Sequence, residues 1–221
     1  MNINDAIKKR RSIRKYQDKP VSHDLIESIF SQAQQAPSNC NTQPWHVAVV
    51  SGDAKDAVVE RMCADILSGK KPNNYFETVD QSFTGDYRKR QIDCAISLYD
   101  SVDIKYEEKD KRQQLMFRNW QFFGAPHGAF FSMPKEMTAV NAVDLGIYLQ
   151  TVMLLFTANG ISSCAQGALA MYTDAAYEIA GVPEENGILF GLSFGYAIED
   201  DPMNNFDVGR ADLSTSVSFK R

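Results

Sequence analysis

The segment that most constrains this chain reads Pro37-Ser38-Asn39-Cys40-Asn41-Thr42-Gln43-Pro44-Trp45. Both prolines fix φ and lack a donor, and the serine and asparagine side chains favour hydrogen bonds with the nearby backbone. The segment therefore predicts a polar loop between two apolar elements, a place where a ligand with many hydrogen-bonding edges could bind. The alternative is an ordinary turn closed by a buried tryptophan, which the loop alone favours.

A second polar cluster lies upstream and reads Arg10-Arg11-Ser12-Ile13-Arg14. It follows a short helix, predicted over residues 5–10 with Asn4 as its cap. Three guanidinium groups and a hydroxyl within five residues suit the oxygens of a phosphate. Two alternatives remain, a solvated basic surface and a phosphorylation site on the short pattern Arg-Arg-Ser. Neither alternative explains why the polar loop follows.

Together the two segments resemble the FMN-dependent nitroreductase family. The likeness runs in order along nearly the whole chain and is loose only over residues 69–111. It is carried by Arg10-Arg11-Ser12-Ile13-Arg14, Ala36-Pro37-Ser38, Asn41, Gln43-Pro44-Trp45, Phe123-Gly124-Ala125-Pro126, Ser163 to Leu169, Phe194-Gly195-Tyr196, Pro202, Asn204 and Arg210. The resemblance implies an α+β, nitroreductase-like fold: a single domain over residues 1–221, with a central mixed or antiparallel sheet flanked by helices, in an intertwined homodimer.

The resemblance also implies roles for individual residues at an FMN site. Arg10 and Arg210 resemble the phosphate ligands, with Arg11 and Ser12 beside them. Arg14 resembles the cation near the ribityl chain or the pyrimidine edge of the ring. The loop residues Pro37, Ser38, Asn39, Asn41 and Gln43 resemble a segment that reaches the cofactor from the partner subunit. The backbone of Gln166 and Gly167, with Ala165, resembles the turn against the ring, whose amide can bond N5, and Asn119 resembles an amide that reads the ring edge. Asp207 and Gly209 stand near Arg210 where further cations often occur, so we expect a thinner phosphate site.

The implied chemistry is hydride transfer from NADH or NADPH to FMN and then to a flat, electron-poor small-molecule acceptor, in a ping-pong cycle. No side chain is named as catalytic, because the protein supplies position and electrostatics. Two alternatives stay open. One is a flavoenzyme of the same fold with different chemistry, such as reductive dehalogenation or flavin fragmentation. The other is a protein that binds flavin without turnover.

Composition agrees with an oxidoreductase of this kind and excludes other classes. The chain has 221 residues, 44% of them hydrophobic, and a net charge of −5 with a pI near 5.2. That length can bury a core, and that charge argues against a nucleic-acid partner. The four cysteines are scattered and predict reduced thiols in the cytoplasm, not a disulfide framework or a zinc site, and the three histidines are too scattered to suggest any metal. The N-terminus has no apolar stretch typical of a secretory signal.

Hydrophobic periodicity predicts helices at about 22–36, 53–68, 87–102, 107–123 and 138–160, and strands at about 46–50, 128–133, 161–165 and 188–196. The long connection over residues 70–86 is typical of a lid or of mobile surface. In the helix at 138–160 the apolar run from Leu145 to Ala158 falls short of the roughly 20 residues that a bilayer needs. We therefore expect a buried central helix, or else a dimer surface, and no membrane partner.

One motif points elsewhere. Gly191-Leu192-Ser193-Phe194-Gly195 matches the GxSxG pattern of hydrolase nucleophiles. That pattern requires a helix after the serine and a histidine later in the chain, yet Pro202 follows soon after and the last histidine is His127. We expect Ser193 to be a small strand residue. There is also no GxGxxG after a strand and no P-loop.

Overall fold

The computed structural model of the chain describes residues 1–77 and 83–220. Its helices are α1 (Ile3–Lys9), α2 (His23–Ala33), α3 (Gly52–Leu67), α4 (Gly85–Ser101), α5 (Lys109–Phe117), α6 (Ala139–Ala158) and α7 (Asp174–Glu178). Its strands are β1 (His46–Ser51), β2 (His127–Pro134), β3 (Ser162–Gln166) and β4 (Asn186–Gly195). Short 3-10 turns occur at Asn39–Asn41, Arg118–Gly124, Gly167–Ala170, Pro202–Asn204 and Leu213–Thr215.

The four strands form one antiparallel sheet in the order β1-β2-β4-β3. The predicted α+β class with a central sheet flanked by helices is therefore confirmed. The arginine-rich segment runs along the free edge of β3. Ser12 bridges Ser163 in parallel, and the backbone N–H of Ile13 donates to the carbonyl of Ser163 at 3.0 Å. This contact places residues 10–14 beside the end of β3.

Both faces of the sheet are buried. Phe130 of β2 packs with α3, while its neighbour Phe131 packs with α2 and α6 on the other face. The opposite placement of two adjacent residues follows from the two-residue period of a strand. Since both faces are covered, β2 and β4 are apolar almost throughout, and their continuous hydrophobic runs are explained.

Several predicted boundaries were wrong. Helix α1 begins at Ile3 because the Asn2 side chain, not that of Asn4, accepts the Asp5 N–H at 3.0 Å. Helix α3 begins at Gly52 after Ser51, so Asp53 is not its cap. The helix predicted over 107–123 is confined to Lys109–Phe117, because Phe122 and Phe123 adopt left-handed backbone with φ of 49° and 53°. Helix α7 was not predicted. Part of the connection predicted over 70–86, residues 78–82, lies outside the described residues.

Helix α6 is 20 residues long and apolar enough, by length and composition, to cross a membrane. The whole helix is therefore longer than the apolar run predicted over residues 145–158. Its inner face packs into the core through Leu145, Tyr148, Val152 and Phe156, as a core helix does. Its outer face leaves Val140, Val143 and Ile147 exposed, by 55%, 62% and 38%. The predicted core helix is therefore confirmed, and the alternative of a dimer surface stays a prediction for the exposed outer face.

Candidate functional site

A broad cleft of about 870 Å³ opens where the end of α1, the arginine segment and the C-terminal tail meet. It is lined by Ile7, Lys8, Arg10, Arg11, Ser12, Arg14, Cys94 and residues 204–210. The structure therefore brings together Arg10, Arg11, Ser12, Arg14 and Arg210, although about 200 residues separate the first four from the last. We call this cavity the arginine cleft.

Asn204 joins the two sides of the arginine cleft. It is 4% exposed, and its Oδ1 accepts hydrogen bonds from the backbone N–H groups of Arg14 (2.8 Å) and Lys15 (3.2 Å). Its Nδ2 donates to the carbonyls of Lys15 and Ile198 at 2.8 and 2.9 Å. Through its side-chain oxygen and nitrogen, Asn204 thus hydrogen-bonds the start of the tail to the arginine segment.

The charge of the arginine cleft is strongly positive. Lys8, Arg10, Arg11, Arg14 and Arg210 line it, against the single carboxylate of Asp207. Within residues 1–77 and 83–220 none of these five cations forms an ion pair, whereas other cations, such as Arg61 and Lys70, do. Cations gathered without carboxylate partners suit a bound anion, and guanidinium groups suit phosphate in particular.

Aromatic rings fix the position of Arg14. Its guanidinium carbon lies 5.9 Å from the ring centre of Phe123 and 5.6 Å from that of Phe206. Arg11 reaches the same tail segment and donates to the carbonyl of Phe206. Phe123 also has left-handed backbone, with φ of 53°, and strained backbone of this kind is common at binding sites.

Two buried side chains, those of Tyr16 and Cys164, support the arginine segment. The hydroxyl of Tyr16 donates to the carbonyl of Ile13 at 2.6 Å, and burial raises the pKa of this phenol well above its usual value. Burial also raises the pKa of the Cys164 thiol, an effect that Arg14, the Ser12 hydroxyl and Arg10 partly offset. Both groups are therefore protonated and uncharged at neutral pH.

The turn at the end of β3, residues 165–168, lies at the same sheet edge as the arginine segment. Ala165 is exposed, Gln166 is buried and Gly167 is half-buried. The Gln166 Nε2 donates to the backbone carbonyl and to the side-chain oxygen of Asn119, at 2.9 and 3.2 Å. The Trp120 indole N–H donates to the carbonyl of Ala168 at 2.9 Å. The 3-10 turn at Arg118–Gly124 thus holds the 165–168 turn on both sides of Gly167.

The side chain of Asn119 has two hydrogen-bond partners. Its Nδ2 donates to the Met116 carbonyl at 2.8 Å, and its Oδ1 accepts from Gln166. The side chain is half-buried and supports the 165–168 turn, and it does not line the arginine cleft. Its predicted contact with a ring edge stays a prediction.

The polar loop over residues 37–45 lies against α6 and does not line the arginine cleft of its own chain. The Asn39 N–H donates to the buried Asp144 carboxylate at 3.0 Å, and the Gln43 N–H donates to the Ser38 hydroxyl at 2.9 Å. Cys40, Asn41 and Gln43 all have positive φ. The side chains of Asn39, Asn41 and Gln43 are exposed, as is Pro37, while Ser38 is half-buried. The loop is therefore a fixed, strained projection with polar groups directed outward.

Trp45, which closes this loop, is half-buried and not fully buried as the alternative of an ordinary turn supposed. Its ring stacks on Tyr148 of α6 at 4.6 Å between centres, and its N–H donates to Gln34 at 3.0 Å. Burial raises the pKa of Tyr148 to about 12.

Sequence reasoning missed three residues at the site. Arg118 is half-buried and donates to the carbonyls of Arg14 (3.4 Å) and Phe123 (3.1 Å), while burial lowers its pKa. Trp120 and Ser193 hold the 165–168 turn, directly or through Gln166. Each acts on residues that are distant in sequence, apart from the contact between Arg118 and Phe123, so no local pattern could reveal them.

Comparison with known proteins finds relatives over most of the chain. The model of the nitroreductase family matches residues 7–196. The nitroreductase NfnB of Mycolicibacterium smegmatis is 37% identical over 215 residues, which cover 97% of this chain and 91% of that protein. The 4-nitrobenzoate reductase of Pseudomonas putida is 29% identical over 205 residues, 93% of this chain and 89% of that protein.

Two solved structures have the same fold. The crystal structure of the FMN-dependent nitroreductase NfnB from Mycobacterium smegmatis, in complex with NADPH, superimposes with a TM-score of 0.94 at 37% identity, covering 99% of this chain and 97% of that one. The FMN and NADPH-dependent nitroreductase NfnB from sphigopyxis sp. strain HMH gives a TM-score of 0.96 at 31% identity, with all of both chains covered. The sequence motifs, the sheet and the full-length matches together establish that this chain belongs to the nitroreductase family.

Proposed function

We propose that this chain is an FMN-dependent NAD(P)H oxidoreductase that reduces nitroaromatic, quinone or similar electron-poor acceptors. The observation that carries the proposal is the arginine cleft, with five cations that have no carboxylate partner in the described part of the chain. The relatives matched over most of this chain are nitroreductases, and two solved relatives are FMN- and NADPH-dependent. These matches support both the cofactor and the donor.

The donor set of the arginine cleft fits the phosphate of FMN. Arg10 and Arg210 would hold the phosphate, with Arg11 and Ser12 beside them, since guanidinium forks and hydroxyls are good donors to phosphate oxygens. Arg14, fixed between two aromatic rings, would present a positive charge further along the cofactor. The backbone of Ala165, Gln166 and Gly167 would lie against the ring.

Bound FMN supplies the hydride chemistry, and the protein supplies position and charge. The fixed charge of Arg14 favours negative charge on a group bound beside it, because a preorganised cation needs no rearrangement when that charge forms. No side chain in the arginine cleft is required as a nucleophile. Tyr16 and Cys164 are uncharged and buried, so their part is to support the arginine segment.

We also propose a homodimer in which the loop over residues 37–43 completes the site of the partner. The loop presents polar groups outward, away from the arginine cleft of its own chain. The exposed apolar residues Val140, Val143 and Ile147 of α6 and Ile3 and Ile7 of α1 form a surface that a second copy would cover. The exposed tail after Asn205 is suited to wrap around the partner.

A cytoplasmic location is part of the same proposal. The four cysteines are all unpaired, as expected in a reducing compartment. The net charge of −5 gives no support to a nucleic-acid partner.

Steady-state kinetics test the proposed reaction. Initial rates with varied NADPH or NADH at several fixed nitroaromatic concentrations should give parallel double-reciprocal lines, because the donor leaves before the acceptor enters. The same assay with each nucleotide identifies the preferred donor. Intersecting lines would reject the ping-pong order. Turnover with oxygen alone, and none with nitroaromatics or quinones, would instead favour a flavin-binding protein without this reductase activity.

A further inference from the structure

The sequence Gly191-Leu192-Ser193-Phe194-Gly195 is unused by the proposed reaction, yet its small residues all have defined contacts. A Cβ on Gly191 would lie 2.5 Å from the side chain of Leu169, and a Cβ on Gly195 would lie 2.7 Å from Pro126. Ser193 is fully buried in β4. The two glycines therefore let Leu169 and Pro126 approach β4 closely, and Ser193 lies between the glycines in the strand.

The Ser193 hydroxyl is directed at Gln166. Its Oγ donates to the Gln166 Oε1, while the Gln166 Nε2 donates to the two oxygens of Asn119. These bonds fix the orientation of the Gln166 amide. Its oxygen accepts from the Ser193 hydroxyl, and its nitrogen donates to the two oxygens of Asn119. The buried Ser193 and Gln166 and the half-buried Asn119 thus form a polar chain beneath the 165–168 turn.

The polar chain and its neighbours hold the 165–168 turn from three directions. Ser193 fixes Gln166 from β4, Asn119 fixes it from the 3-10 turn at Arg118–Gly124, and Trp120 fixes Ala168. In the register of the sheet Gln166 lies opposite Gly191. Leu169 packs closely on Gly191, and this contact sets the distance between the turn and β4. The 165–168 turn is therefore held by contacts with both β4 and the 3-10 turn at Arg118–Gly124.

We propose that Ser193 is a positioning residue for the flavin: through Gln166 it fixes the backbone of residues 165–167 and thereby sets how strongly the protein prefers one redox state of the ring over the other. The inference rests on the proposed function. Backbone amides directed at a flavin ring interact differently with its oxidised and reduced forms, so a change in their position changes the reduction potential. Ser193 itself touches neither cofactor nor substrate.

A matched control exists within the same sheet. Ser132 of β2 is also fully buried, and its hydroxyl accepts a hydrogen bond from an amide side chain, that of Asn186, at 3.2 Å. Neither Ser132 nor Asn186 lines the arginine cleft or contacts the 165–168 turn. Ser132→Ala therefore removes a comparable buried hydroxyl without affecting that turn.

The experiment measures the midpoint potential of the bound flavin and its visible spectrum in the FMN-loaded wild type, Ser193→Ala, Ser132→Ala, Gln166→Leu and the double variant Ser193→Ala/Gln166→Leu. We expect Ser193→Ala to change the ratio of affinities for oxidised and reduced FMN about tenfold, which is about 30 mV for a two-electron couple. Ser132→Ala should match the wild type. Since Ser193 acts through Gln166, Ser193→Ala should add no further shift when Gln166 is already leucine.

The outcomes separate this inference from the proposed function. A wild type that binds FMN and is reduced by NADPH or NADH, with equal potentials in Ser193→Ala and wild type, would overturn the inference alone. Equal shifts in Ser193→Ala and Ser132→Ala, or full additivity with Gln166→Leu, would do the same. A wild type that binds no FMN would overturn both. If Ser193→Ala does not fold, Gln166→Leu removes the same bond from its other end and carries the comparison with Ser132→Ala.

Discussion

The side chain of Asn204 accepts a hydrogen bond from the backbone N–H of Arg14 at 2.8 Å, across 190 positions of sequence. Through this bond the tail that carries Arg210 and the N-terminal segment that carries Arg10 and Arg14 form the two walls of one cleft. Both walls contribute to the phosphate site that we propose, so we expect that site to depend on Asn204.

Replacement of Asn204 should therefore cost both stability and FMN affinity. Asn204→Ala leaves the part-buried backbone N–H groups of Arg14 and Lys15 without a side-chain partner and removes one of two hydrogen bonds to each of the Lys15 and Ile198 carbonyls. We expect a loss of about 2–4 kcal/mol in the free energy of unfolding, since each unpaired buried group costs about 1–3 kcal/mol. Urea unfolding measures this loss. Asn205→Ala is the control, because its hydrogen bonds are exposed. Equal losses in the two variants would contradict the role given to Asn204.

Arg14 and Arg210 should differ in what their removal changes. Arg210→Ala should weaken FMN binding about 10- to 100-fold, because a hydrogen bond to a charged group contributes about 1.5–3 kcal/mol. Arg14→Ala should slow flavin reduction more than it weakens FMN binding. Stopped-flow reduction rates and FMN dissociation constants measure the two effects. The exposed Arg88, whose side chain bonds only to Gln91 among the described residues, supplies the control variant Arg88→Ala. If both cleft variants change both quantities equally, the separate roles are wrong.

The buried His127 should make the protein less stable in acid. The Val21 N–H donates to its Nε2 at 2.8 Å, so Nδ1 carries the proton and donates to Ser51 at 2.5 Å. Burial, with a contribution from Lys55, lowers the pKa of His127 below 6.5. Below about pH 6.5 the unfolded chain therefore binds more protons than the folded chain. The contribution of His127 to the free energy of unfolding is fully present above that pH and falls as the pH drops towards the pKa of His127 in the folded protein.

Urea midpoints between about pH 8 and about pH 5, on either side of the ordinary histidine pKa, check this dependence. His127→Phe keeps the stacking on Phe194 and removes the titrating group, so its stability should change less with pH than that of the wild type. Burial also lowers the pKa of His46, which remains in both proteins and contributes equally. A pH dependence that is unchanged in His127→Phe would show that His127 is not its source.

The proposed dimer predicts a concentration-independent complex of two chains. Val143→Glu places a charge on the exposed apolar face of α6, and we expect it to give monomers that bind FMN at least about tenfold more weakly, since each site needs the loop of the partner. Light scattering after size-exclusion chromatography and FMN titration measure the two effects. Leu67→Glu, at an even more exposed apolar residue outside that face, is the control. Monomers with unchanged FMN affinity would show that one chain forms the complete site.

The sequence predicts those elements of the fold whose formation depends on residues close together in the chain. The apolar stripe of α2, the long apolar run of α6 and the buried strands β2 and β4 follow from periodicity and burial. Helix α7 has only five residues, too few to show a period. The left-handed backbone of Phe122 and Phe123 has no signal at all, since such backbone favours glycine and is imposed here by tertiary packing.

The same distinction, between local patterns and long-range contacts, applies to the residues of the candidate site. Arg10, Arg11, Ser12, Arg14 and Arg210 could be assigned because their types and order resemble those of a family, and the structure does place them in one cleft. Asn204 was noticed as part of a motif but without a role, and Ser193 was expected to be only a small strand residue. Their functions depend on partners 27 to 190 positions away, which no single stretch of sequence contains.

The visible absorption spectrum of the purified protein with FMN, recorded under anaerobic conditions before and after NADPH or NADH, tests the central claim most directly. We predict two flavin bands that bleach when the nucleotide is added and recover when a nitroaromatic or a quinone follows. A protein that shows no flavin bands, even after incubation with FMN, would contradict the assignment of the arginine cleft as the cofactor site.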